Sequence, residues 1–130
     1  MMNQLDEIFR PESGVEQLGA LASLSTEDLD KLPIGAIRLD PRGKILAFNR
    51  TESTLSGFAA SAVLGKNFFT EVAPCTNVQQ FAGRFREGVA KKDLHAVFPY
   101  HFNIPKTFDV TVTLYYHKAS DTVWVLVRRE

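Results

Sequence analysis

The chain predicts an α+β fold, a five-stranded antiparallel sheet with helices packed on it. Three observations point there. From residue 34 the apolar pattern changes from a helical spacing to a period of two, and the middle third returns to helical spacing. The last third is three runs rich in β-branched and aromatic residues. Two strands, a helical middle and three more strands make a sheet layered with helices. With 130 residues, 45% apolar and 23% charged, there is material for one sizeable core and not two. Residues 1–130 are therefore expected to form one domain, with a helical cap over 1–31 on a core over 32–130.

Within residues 1–31, Leu18, Leu21 and Leu24 recur three apart, a helical face that Gly14 and Gly19 weaken. Ser25 or Thr26 is placed to cap a second short helix over 27–32, with Glu27 and Asp28 at the positive end of its dipole. Pro33 ends it. The expected product is an amphipathic lid with few apolar anchors, cheaper to open than the core.

A strand over 36–40, a turn at Pro41-Arg42-Gly43-Lys44 and a return strand over 45–49 follow. Short helices over 51–55 and 59–64 part at Ser56-Gly57. Residues 78–87 read as helix, with Val78, Phe81 and Phe85 on one face; Gly88 either ends it or is passed through. Strands over 94–101, 108–117 and 122–129 complete the sheet. The middle one alternates Phe108, Val110 and Val112 with Asp109, Thr111 and Thr113, and a short turn over 118–121 makes the last two a hairpin.

Fifteen basic and fifteen acidic residues cancel, so no global field favours nucleic acid or an anionic membrane. Arg128-Arg129 reads as a solvated strand end. One cysteine forms no internal disulfide. The N-terminus lacks the basic start and apolar run of a signal peptide, and no apolar run approaches the roughly 18 residues of a membrane helix. A cytoplasmic protein, monomeric or weakly dimeric, is expected. His95, His101 and His117 have no context tying them to the cysteine, so neither a cysteine hydrolase nor a metal site is expected, and the chain is not read as an enzyme.

The informative stretch is Gly65-Lys66-Asn67-Phe68-Phe69-Thr70-Glu71-Val72-Ala73-Pro74-Cys75-Thr76. A free cysteine is usually a small buried hydrophobe inside an apolar run. Cys75 instead follows Pro74, which fixes its own φ and keeps Ala73 out of the helical region. The thiol therefore sits on a stiff loop or at a helix start, where a covalent partner can reach it.

This stretch resembles the cysteine segment of the photoactive yellow proteins, small bacterial blue-light receptors. Gly35-Ala36-Ile37-Arg38-Leu39-Asp40, Gly43-Lys44-Ile45-Leu46, residues 52–57, Phe85-Arg86-Glu87-Gly88-Val89-Ala90 and Trp124-Val125-Leu126-Val127 also resemble family segments, in the same order. The resemblance covers roughly residues 25–130 and implies a PAS-like fold. It further implies a p-coumaroyl (p-coumaric acid, 4-hydroxycinnamic acid) group bound to Cys75 as a thioester, and an unidentified downstream signalling protein as partner.

In the family a tyrosine and a neutral glutamic acid hold the chromophore's phenolate. The glutamic acid position matches Glu52, whose local alternative is a solvated residue at a helix start. The tyrosine position is Phe48, which has no hydroxyl to donate. A threonine that bonds the tyrosine corresponds to Ser56, and an arginine covering the pocket corresponds to Phe58. Ile37, Phe68, Phe69, Val72, Tyr100 and Phe102 match or adjoin positions lining the chromophore, though each also suits plain core. The stretch from Pro99 to Lys106 carries a one-residue insertion relative to the family.

The resemblance implies trans–cis photoisomerisation, proton transfer from Glu52 and partial opening of the cap. A phenol titrates near 10 unless its anion is stabilised. With one donor missing, the anion is expected to absorb at longer wavelength and the phenol to titrate higher, by roughly one to two pK units; Ser56 or a water recovers part of this. The competing reading, opened by Phe48 and Phe58, is a PAS-type small-ligand-binding or dimerisation module without a chromophore.

Overall fold

The computed structural model describes residues 18–102 and 107–129. The earliest part of the expected helical cap, Gly14 included, and residues 103–106 of the Pro99–Lys106 stretch expected to carry an insertion lie outside them.

Strands β1 (Gly35–Leu39), β2 (Ile45–Phe48), β3 (His95–Phe102), β4 (Phe108–His117) and β5 (Thr122–Arg129) form one antiparallel sheet in the order β2-β1-β5-β4-β3. The central strand is β5, and residues Thr122 to Val127 are buried without alternation. Such a run requires both faces of the sheet to be covered. On the inner face, Ile37, Leu39, Val110, Val112, Leu114, Val123, Val125 and Val127 meet the phenylalanines of the helical middle.

That middle consists of helices α2 (Arg50–Ser56), α3 (Ala60–Val63) and α4 (Arg84–Lys91), with a π-helical turn at Phe68–Val72, a 3-10 turn at Pro74–Thr76 and a π-helical turn at Gln79–Gly83. Gly57 closes α2 at φ 86, a conformation glycine adopts without strain. Helix α4 passes through Gly88. One expectation fails here. Val78 is extended and 45% exposed, because the next residues open a π-helical turn; of the three, only Phe81 and Phe85 face the core.

On the outer face, Ala36, Tyr115, Trp124 and Leu126 pack against Leu18, Ala20, Leu21, Leu29, Leu32 and Ile34. The cap thus carries a core of its own, which corrects the expectation of few apolar anchors. Leu18 precedes a 3-10 turn (Ala20–Ser23) that holds Leu21, Leu29 falls in a short helix α1 (Thr26–Asp30) capped by Ser25, and Leu32 in the linker after it. No single helical period links them. Among the described residues no helix is long and apolar enough to cross a membrane.

Asn49 joins the two layers. Its amide Nδ2 donates to the carbonyls of Leu29 (2.8 Å) and Ile34 (3.0 Å), and its Oδ1 accepts from the N–H groups of Ala36 (2.9 Å) and Glu52 (2.9 Å). The side chain is 2% exposed, so no water replaces these bonds. Asn49→Ala leaves the buried N–H groups of Ala36 and Glu52 and the Ile34 carbonyl without the amide, while the Leu29 carbonyl keeps the Leu32 N–H at 3.2 Å, and is expected to lower stability by about 3 kcal/mol. Urea unfolding measures this; a loss below about 1 kcal/mol contradicts the role given to Asn49.

Candidate functional site

Asn49 and Glu52 have the spacing of a capping box, in which the acidic side chain returns to the cap's own N–H. Here that N–H is already bonded to the Ala36 carbonyl at 3.0 Å. The Glu52 side chain instead turns inward over Gly35, so close that a β-carbon on residue 35 would lie 2.0 Å from Oε1. Glu52 is 5% exposed, and among the described residues its Oε1 has no hydrogen-bond partner. Burial pushes its pKa up to about 8, so the carboxyl is neutral at pH 7. A neutral carboxyl has a proton to donate.

Glu52 lines a narrow cleft with Phe48, Ser56, Phe58, Phe68, Val72, Ala73 and Phe102. The free space is about 20 Å³, the room of one water. Glu52 and Ser56 lie four residues apart on one face of α2, both buried. Phe68 and Val72 come from the π-helical turn, whose start Asn67 caps through its side-chain oxygen.

The same wall leads directly to the cysteine. Ala73 is followed by Pro74, which opens the 3-10 turn carrying Cys75. The thiol residue is half-buried against the inner core. The Tyr100 hydroxyl donates to the Cys75 carbonyl at 2.5 Å, and the buried Thr76 hydroxyl donates to the Ala73 carbonyl at 2.6 Å. Burial, and then the nearby Cys75, raise the Tyr100 pKa, keeping it a donor. Ile37 and Phe69 sit in the core beside the cleft and not in its lining; the Phe69 ring packs on Phe85 at 4.9 Å.

Two residues of the site were not singled out from sequence. Ala73 carries no chemical signal. Phe81 is fully buried and holds Phe68, Phe98, Tyr100 and Phe102 in ring contact at 5.2–6.3 Å, bracing the wall and the tyrosine together. Its core position is legible from helical spacing, its bracing role only from the fold. Among the described residues no cluster of His, Cys, Asp or Glu is arranged to hold a metal.

The PAS fold family model matches residues 27–129. The chain is 43% identical over 111 residues to the photoactive yellow protein of Rhodothalassium salexigens, covering 85% of this chain and 89% of that one. The chain belongs to the photoactive yellow protein family. The Halochromatium salexigens photoactive yellow protein is similar to the same degree and over the same coverage. The photoactive yellow protein domain of the sensor histidine kinase Ppr from Rhodospirillum centenum superposes with a TM-score of 0.81 at 42% identity, over 85% of this chain and 98% of that domain. The chain thus carries the photoactive yellow protein form of the PAS fold.

The Glu52 carboxyl titrates near 4.5 when unfolded and at about 8 when folded. Between those values the folded state binds a proton that the unfolded state lacks, so stability falls as pH rises, by up to about 1.4 kcal/mol per pH unit. Glu52→Gln removes the titrating group. Unfolding temperatures of the apoprotein taken across this window are expected to show a flatter pH dependence in the mutant; parallel profiles contradict a neutral Glu52.

Proposed function

We propose that the chain is a blue-light photoreceptor carrying p-coumaric acid as a thioester on Cys75. The observation that supports this best is the buried Glu52 oxygen without a partner. It faces an aromatic cleft whose wall runs on, two residues past Ala73, to a half-buried thiol. The residue types fit the group: a neutral carboxyl suits a phenolate, rings suit a ring, and Cys75 suits the acyl end.

When bound, the group supplies blue-light absorption and a double bond that turns from trans to cis. The chain's own residues supply the rest. Phe48, Phe58, Phe68, Val72 and Phe102 exclude water from the ring, with Ile37 and Phe69 behind them. Tyr100 steadies the turn that bears Cys75. Admitting a ring into so narrow a space requires a wall side chain to move, and the half-buried Phe58 is best placed to swing. Phe48 brings no hydroxyl, so a band at longer wavelength and a higher phenol pKa are expected than with tyrosine at that position.

Were Glu52 to pass its proton to the phenolate oxygen in the light, it would be left as a carboxylate in a dry cleft. The difference between about 8 and 4.5 makes that charge cost about 5 kcal/mol. Full release of the cap exposes Leu18, Leu21, Leu29 and Leu32, which together cost on the order of 10 kcal/mol. The first term is too small to drive the second. Opening is therefore partial and begins where α2 is tied to the end of the cap: Asn49 to Leu29 and Ile34, the Arg50 N–H to Asp30, and the Thr51 hydroxyl to Leu32. In this reading residues 1–31 act as the cap on a core of 32–130. The signal passes to a downstream signalling protein, as membership of a sensor histidine kinase suggests for the Rhodospirillum centenum domain.

The test is reconstitution of the full chain with activated p-coumaric acid. A yellow protein heavier by one coumaroyl group, with Cys75→Ser colourless and unmodified, is expected. Absence of an adduct on Cys75 decides for the rival, a PAS-type module that binds a ligand or a partner without a chromophore. The missing polar groups at Phe48 and Phe58 favour that rival.

A further inference from the structure

We infer that the Ser56 hydroxyl is the second donor of the cleft, acting with Glu52 on one anionic oxygen and replacing the hydroxyl that Phe48 lacks. This rests on the cleft being the seat of a phenolate. Ser56 is 7% exposed and lines the cleft beside Phe48 and Phe58. Its Oγ accepts the Phe58 N–H at 3.2 Å, which uses a lone pair and leaves its proton uncommitted. Among the described residues that proton has no acceptor.

Four residues up the same face of α2, the Glu52 Oε1 is also unpartnered, and its neutral carboxyl is a donor. Two buried donors one helical turn apart, both lining a single cleft, share no acceptor among the described residues. Phe48, Phe58, Phe68, Val72, Ala73 and Phe102 complete the lining with apolar side chains. The ligand chemistry this selects is an oxygen anion on an apolar ring. Ser56 is thus a positioning and tuning residue for the charge, not a helper to a side chain at position 48.

The test titrates the phenol in p-coumaroyl-loaded full-length protein with Ser, Ala or Thr at position 56, in both the Phe48 and the Phe48→Tyr backgrounds. In parallel, the affinity of the Cys75→Ser apoprotein for 4-nitrophenolate is measured with the same three residues at 56. Ser56→Ala is expected to raise the phenol pKa by about one unit, redden the band and weaken nitrophenolate binding about tenfold. Ser56→Thr, which keeps the hydroxyl, restores both. With tyrosine at 48 the effect of Ser56→Ala shrinks, because the oxygen then has another donor.

A phenol pKa and a nitrophenolate affinity that do not depend on residue 56 overturn the assignment, as does an apoprotein that takes up no nitrophenolate. Failure of Cys75 to load overturns the covalent chromophore of the proposed function, while the nitrophenolate measurement still decides the role of Ser56.

Discussion

One buried amide holds this molecule in register. Asn49 ends β2, caps α2 and grips the carbonyls of Leu29 and Ile34 at the end of the cap, with all four of its polar positions in use. Because its backbone N–H is also spent on β1, Glu52 has nothing local to bond and turns its carboxyl over Gly35 into the cleft. The same residue that makes the carboxyl dry and neutral therefore ties its helix to the cap. A change of charge at Glu52 is felt first at those bonds.

The cleft is asymmetric in a way that matches its chemistry. One side is a bank of phenylalanines braced by Phe81, and the other is the face of α2 with its two polar side chains. Apolar walls raise the cost of any charge inside. They hold Glu52 neutral and would penalise its carboxylate. The aromatic wall also passes through Ala73 to the cysteine turn, so the buried carboxyl and the thiol are parts of one packed surface.

Much of this was legible in the sequence because it rests on short-range signals. The period of two marked β1, β2 and β4, and β-branched and aromatic content marked β5, whose central place in the sheet came only with the fold. Pro74 announced the stiff turn at Cys75, and the family resemblance selected Glu52. What was hidden depends on partners far along the chain. The cap's leucines have no common period, and their anchors, Tyr115, Trp124 and Leu126, lie about a hundred residues away. The π-helical turn at Gln79–Gly83 was missed because Phe81 and Phe85 keep an α-helical spacing, while Val78 belongs to the turn before it. The Asn49–Glu52 spacing was visible, but the competing bond to Ala36 that frees the carboxyl was not.

On the proposed mechanism, charge stranded at Glu52 loosens the seam held by Asn49 and leaves the leucine core of the cap in place. Hydrogen exchange of the reconstituted protein, in darkness and under continuous blue light, tests it most directly. Illumination is expected to speed exchange at residues 29–36 and 49–53 while residues 20–24 stay protected, and Glu52→Gln is expected to abolish the difference. Light-driven exchange at the seam of equal size in that mutant would contradict the account.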